Sequence, residues 1–210
     1  MSWSEVADRQ VARYEGARSE LARGAAAYGA GLALAMLGRD PEARGFLERA
    51  AAHWRASWAD ATPTSWGRPI GVLKALLLAG EGRAAAEAAE WALSLGCADA
   101  ESPIGRYAAA LALLVLGRSE EARRQAVSLC GRDDFPPAVA DALAAIAGGD
   151  PVGYAGAVET VLASFEARDR YLEDVAVADT VLALQVLAAR RGIAAELPQS
   201  PVLPAAAGSR

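Results

Sequence analysis

Apolar residues fall in short blocks with a helical period, most of them closed by glycine or proline. The pattern predicts helices over about 4–22, 25–37, 40–57, 69–80, 83–95, 103–116, 119–130, 137–147, 151–168 and 173–191. Ala and Leu dominate the blocks, and Ala loses no side-chain entropy in a helix. Asp40-Pro41, Ser102-Pro103 and Asp150-Pro151 each read as an N-cap followed by a first-turn proline. Aromatic residues make up only 6% and β-branched residues are sparse. The expected fold is therefore all-α: antiparallel helix hairpins in a short stack, closed by an N- and a C-terminal helix. One helical domain is expected over 1–196, followed by a Pro/Ala-rich tail over 197–210. Pro198, Pro201 and Pro204 cannot continue a helix, so the tail is expected to be partly disordered and dispensable beyond Pro198.

The chain also repeats itself. Tyr28 to Arg44 matches Tyr107 to Arg123 at an offset of 79, sharing Tyr, Leu-Ala-Leu, Leu-Gly-Arg and Glu-Ala-Arg. Pro69-Ile70-Gly71 matches Pro103-Ile104-Gly105 at an offset of 34, and Ala92 to Leu95 matches Ala126 to Leu129 at the same offset. A looser unit runs from Pro137 through Gly149-Asp150-Pro151 to about Phe165. Hairpins of this kind cannot bury their apolar stripes alone, so neighbours stack.

The 34-residue offset, with Gly38 five residues before Ala43 and Gly117 five before Ala122, resembles the tetratricopeptide family over about residues 24–168. The family's usual Trp early in the first helix is absent. The resemblance implies an α-α superhelix whose first helices line a concave, peptide-binding groove. It would place Tyr28, Leu32, Ala35, Met36, Leu73, Leu77, Tyr107, Leu111, Leu114 and Val115 on that face. Clamp repeats of the family use Asn, Lys and Arg there. This chain has no Asn at all and these positions are apolar, so clamp binding does not carry over. An open apolar groove is a partner site or an aggregation hazard. Segment 173–191, apolar nearly all round, is expected to pack into or across it.

Charge and composition narrow the function. The net charge is −5 with a pI near 5.0, and no Lys/Arg cluster forms a basic face, so nucleic acid is not an expected partner. The start has no basic and apolar leader pattern. The longest uncharged run, Gly24–Gly38, is 15 residues, short of a membrane span. A cytoplasmic protein without a membrane partner is expected. Cys97 and Cys130 have no metal-ligand spacing and read as two buried free thiols. No phosphate loop, dinucleotide fingerprint or HExxH is present, so no metal and no cofactor is expected.

Candidate chemistry is thin, and no catalytic residue is assigned. His53, the one histidine, has no carboxylate three or four residues on to orient it and reads as a packing residue. Glu166, Asp169, Glu173 and Asp174 are mixed with Arg168 and Arg170, which suits a solvated junction. Asp179 stands in an apolar run, Val175 to Leu184, and a buried carboxylate needs a partner; Arg68 or Arg106 is expected to supply it. Trp54, Trp58 and Trp66 share a partly looped segment with Arg68. Trp and Arg favour interface hot spots, yet the same side chains also suit a plug between hairpins. Trp54, Trp58, Trp66, Arg68 and Asp179 are the candidate partner-binding residues.

The closing run from Phe165 through Tyr171, Asp179 and Leu184–Ile193 to Pro204 is similar to the end of an all-helical family of bacterial immunity proteins from polymorphic toxin systems. The expected function is non-enzymatic binding of another protein as an adaptor or scaffold. Two alternatives stand beside it: an immunity protein neutralising a toxin domain, and a helical-bundle enzyme or small-molecule binder around Asp179.

Overall fold

The computed structural model describes residues 2–205, and within them the fold is all-α, with no strand. Its helices are α1 (Trp3–Gly16), α2 (Glu20–Met36), α3 (Asp40–Ala56), α4 (Gly67–Leu78), α5 (Gly82–Ser94), α6 (Pro103–Val115), α7 (Ser119–Val127), α8 (Pro137–Gly148), α9 (Pro151–Glu166) and α10 (Asp179–Ala189). Each packs on its neighbour in sequence from α1 to α9. Ser2 and Glu5 form a capping box on α1, and Ser102 and Asp150 cap α6 and α9 as expected. At α3 the cap position falls on Arg39, and Asp40 is already the first helical residue.

One turn closes four hairpins. After α2, α4, α6 and α8 comes a left-handed glycine, Gly38, Gly80, Gly117 and Gly149, with φ between 69° and 75°. The next residue donates its N–H back to a carbonyl five positions earlier: Arg39 to Leu34, Glu81 to Leu76, Arg118 to Leu113 and Asp150 to Ala145. This closure satisfies the last helical carbonyls, and only glycine enters it without strain. The hairpins α2–α3, α4–α5, α6–α7 and α8–α9 are thus built alike. The spacing between turns is not constant, shrinking from 42 to 37 to 32 residues. The outer helices account for the difference: α3 has 17 residues, α5 has 13 and α7 has 9, while the connections 57–66, 95–102 and 128–136 are similar in length.

The helices α4, α6 and α8 lie side by side as an inner layer, buried along most of their length. Small faces of the outer helices close on it, Ala85, Ala88, Ala89 and Ala92 from α5 and Ala122 and Ala126 from α7. Methyl-sized side chains let the layers approach closely and fill space with little entropy loss. Trp54 of α3 is inserted where α2, α3 and α4 meet. A Cβ on Gly71 would sit 2.6 Å from its ring, and a Cβ on Gly24 equally close from the other side.

The two ends of the chain depart from the sequence pattern. The break between the first two helices falls at 17–19, where the Ser19 hydroxyl accepts from the Ala22 N–H at 3.2 Å. Gly24 lies inside α2, where it makes room for Trp54. The last helix starts at Asp179, six residues later than expected, because Glu173 and Asp174 take left-handed φ of 57° and 55° and 175–178 runs extended. From there α10 crosses the array and packs on α4, α8 and α9. Val181, Leu184 and Leu187 of α10 are buried. Within the stretch expected as a tail, Val202 and Leu203 are buried too, and the Val202 carbonyl accepts from the Ala178 N–H at 2.9 Å. Residues 206–210 lie outside the described residues.

Two predictions follow from this packing. Gly71→Ala forces the Trp54 ring to move and lowers stability by about 1–3 kcal/mol, whereas Gly156→Ala, on an open helical surface, raises it by about 0.5–1 kcal/mol, both read by urea unfolding. A chain ending at Pro198 loses the buried Val202 and Leu203, so its stability falls by about 3 kcal/mol or more instead of staying unchanged.

Candidate functional site

The chain has a single lysine, Lys74, set in the apolar run Ile70–Leu78 of α4. Its ammonium donates to Asp179 Oδ2 at 2.6 Å and to Thr180 Oγ1 at 3.0 Å. The Tyr28 hydroxyl of α2 donates to the same carboxylate oxygen at 2.9 Å. Lys74 is 7% exposed and Asp179 4%. Three elements, α2, α4 and α10, therefore meet at one desolvated ion pair. Burial, and then the Asp179 charge, hold the Tyr28 phenol far above its usual ionisation range. Burial raises Tyr107 likewise, and its hydroxyl, beside Thr180, makes no hydrogen bond. Neither expected arginine takes part. Arg68 donates to the Ser57 carbonyl and Arg106 to the Ala100 carbonyl, both on the loop side of their helices. With its carboxylate occupied and solvent excluded, the centre is suited to holding α10 in register.

The three expected tryptophans divide between core and surface. Trp54 is buried against Tyr28, with ring centroids 5.0 Å apart. Trp66 is buried as well, leaving Trp58 half-exposed between Trp66 at 5.9 Å and Trp91 at 6.1 Å. The Arg55 guanidinium lies 5.2 Å above Trp91. Trp91, on α5, has no neighbour in sequence that ties it to this cluster. The five expected partner residues thus do not converge: Trp58 and Trp66 share one face, Arg68 braces the loop beneath it, and Trp54 and Asp179 lie inside.

The inner face is not filled completely by α10. Beside it opens a cleft of about 970 Å³. Its walls are Leu32 and Met36 of α2, Leu47 of α3, Leu78 of α4, and Leu182 and Val186 of α10. Arg44 at the mouth is paired with Glu48 and Glu81, tying α3 to the α4–α5 turn.

Two residues differ from their expected settings. His53 does have a carboxylate partner: Glu20, 33 residues earlier, lies 2.7 Å from Nδ1, and the Tyr14 hydroxyl lies 3.2 Å from Nε2. No local spacing signals this, because α1, α2 and α3 supply one group each. Cys97 is buried, and its thiol is pushed up to about 11 by desolvation. Cys130, expected to be buried, is exposed because it lies in the turn three residues past the end of α7, with its thiol toward Asp141. Among the described residues no three His, Cys, Asp or Glu side chains group as a metal would require, and no helix is long and apolar enough to cross a membrane.

The ion pair yields a double-variant test. Lys74→Met leaves a buried carboxylate with hydroxyl partners alone and lowers stability by about 3–5 kcal/mol, and Asp179→Leu does the same for the ammonium. The double variant loses clearly less than the two losses added together, as measured by urea unfolding. Additive losses would show that the two groups do not act as a pair.

No protein-family model, curated protein or solved structure matches the chain.

Proposed function

We propose that the chain is a degenerate tetratricopeptide-like array that binds another protein and performs no catalysis through its buried polar centre. The observation that carries this reading is the cleft beside α10. It is apolar, open to solvent, and walled by Leu32, Met36, Leu78, Leu182 and Val186 from three different helices. Half-exposed aliphatic side chains rimmed by charge are the composition of a docking groove. The four like-built hairpins supply a rigid wall for it, so a partner would meet a preformed surface at low ordering cost. Trp58, with Trp91 and Arg55, forms a second exposed aromatic face and is the other docking candidate.

A toxin-neutralising role is the second reading. The segment from Phe165 to Pro204 that resembles immunity proteins is one continuous strap here: the Tyr171 hydroxyl donates to the Phe165 carbonyl, and Val202 is bonded to Ala178. The likeness therefore covers a structural unit and not scattered residues. A toxin gene beside this one, encoding a protein that the chain binds and inhibits, would single out that role.

The test uses the full chain as bait in lysate of its source, beside Met36→Arg, Val186→Arg and Trp58→Ala, each first checked for unchanged helical content and melting temperature. A partner retained by the wild type and Trp58→Ala, and lost by both arginine variants, is the expected result. Loss with Trp58→Ala alone would move the site to the aromatic face. A bait that retains no protein at all would count against a binding role.

A further inference from the structure

Tyr14, His53 and Glu20 form one hydrogen-bonded chain of side chains. Glu20 can only accept a hydrogen bond at its ionised carboxylate, so the proton between it and His53 at 2.7 Å belongs to Nδ1. That fixes the tautomer. Nε2 is then the bare nitrogen, and the Tyr14 hydroxyl donates to it at 3.2 Å. A nucleophile, a base within hydrogen-bond reach and a third group orienting the base together form the arrangement by which hydroxyl nucleophiles are activated. The His53 side chain is 19% exposed and Glu20 40%, so the relay reaches solvent while its imidazole is held on both sides. The His53 bond also keeps the Glu20 carboxyl below its usual range, so that it stays ionised. Phe46 stands edge-on to the Tyr14 ring at 5.8 Å, with the Arg49 guanidinium 4.7 Å over its face. Arg23 pairs with Glu20 at 3.2 Å, and Arg13, next to Tyr14 in sequence, pairs with Glu173 at 3.0 Å.

The other four tyrosines lack this setting. Tyr28 is buried and keeps its proton while donating a hydrogen bond to Asp179, Tyr107 and Tyr154 are buried, and Tyr171 donates at 2.7 Å to the Phe165 carbonyl, which cannot take a proton.

We infer that Tyr14 is an acyl-acceptor site for activated carboxyl groups, that is, thioesters and aryl esters. The Tyr14 oxygen bonds to the carbonyl carbon as its proton passes to His53 Nε2, and Glu20 holds the imidazolium through Nδ1–H. The bond to the thiolate or phenolate then breaks, and the leaving group departs with that proton. The products are an aryl ester on Tyr14 and a free thiol or phenol, with the histidine neutral again. This site is independent of the partner-binding reading.

The test treats the full chain with p-nitrophenyl acetate and, separately, with the acetyl thioester of N-acetylcysteamine, and maps acetyl groups by peptide mass spectrometry. Mapping separates Tyr14 from the exposed Cys130 thiol and from the chain's amino terminus. Tyr14 is expected to acetylate at least about 100-fold faster than Tyr171, the scale of general-base assistance. His53→Gln should remove the advantage. Should that variant not fold, Glu20→Gln, at a partly exposed carboxylate, is to slow Tyr14 without changing Tyr171. Acetylation of Tyr14 no faster than Tyr171, or a Tyr14 rate indifferent to His53 and Glu20, would overturn the assignment and leave the relay as a brace between helices.

Discussion

Everything on the inner face depends on how one ammonium is neutralised out of water. Lys74 sits in the middle of an inner helix, where solvent cannot reach it, and the array would not tolerate it there alone. Asp179 answers it from α10, Thr180 accepts a second bond from the ammonium, and Tyr28 donates to the same carboxylate oxygen. An isolated buried pair of this kind adds little to stability compared with apolar residues of similar size. Its effect is on position. α10 is apolar on nearly every side, and an apolar helix can slide or rotate in an apolar groove at small cost. With Asp179 bonded to Lys74, only one register keeps both charges paired.

That register decides which part of the inner face stays open. α10 lies across α4, α8 and α9. Leu73, Leu77 and Leu111 are all at or near zero exposure beneath it. What stays open is the strip between α10 and the ends of α2 and α4, where Leu182 and Val186 turn outward to face Met36 and Leu78. The cleft is therefore not a defect of packing. It is the part of the inner face that one helix is too narrow to fill, because neighbouring helix axes need about 8–10 Å between them.

The sequence revealed local structure better than meetings between distant parts of the chain. The Leu-Gly-Arg turns, the alanine faces and most helix boundaries are written in short-range patterns, and the structure has them. Asp179 was legible as a buried carboxylate in need of a cation. The cation itself was misjudged because arginines at helix starts are conspicuous, whereas Lys74 reads as part of a core stripe; its being the only lysine in the chain was the available signal. Gly24 reads as a helix end, yet it is a contact for Trp54 contributed from 30 residues further on. The pairing of His53 with Glu20 and Tyr14 has no sequence signature, since three helices bring it together. The left-handed residues Glu173 and Asp174 were equally hidden, because Glu rarely adopts that region and Asp174, which tolerates it, opens a run that reads as helix.

Those two residues explain why the first helix is there. A non-glycine residue in the left-handed region costs roughly 1–2 kcal/mol, and two in succession persist only if the surroundings hold them. α1 provides the grip. The fully buried Gln10 donates to the Glu173 carbonyl at 2.6 Å, Arg9 donates to the Asp174 carbonyl at 3.2 Å, and Arg13 pairs with the Glu173 side chain. The bend they stabilise redirects the chain from the end of α9 onto the inner face, five residues before Asp179 must meet Lys74. Without that grip the bend would relax toward an ordinary backbone conformation, and the approach of α10 to its register would change. The N-terminal helix, which packs on only one edge of the array, thus governs the far end of the chain through hydrogen bonds to two strained carbonyls. The two ends close the fold as one unit.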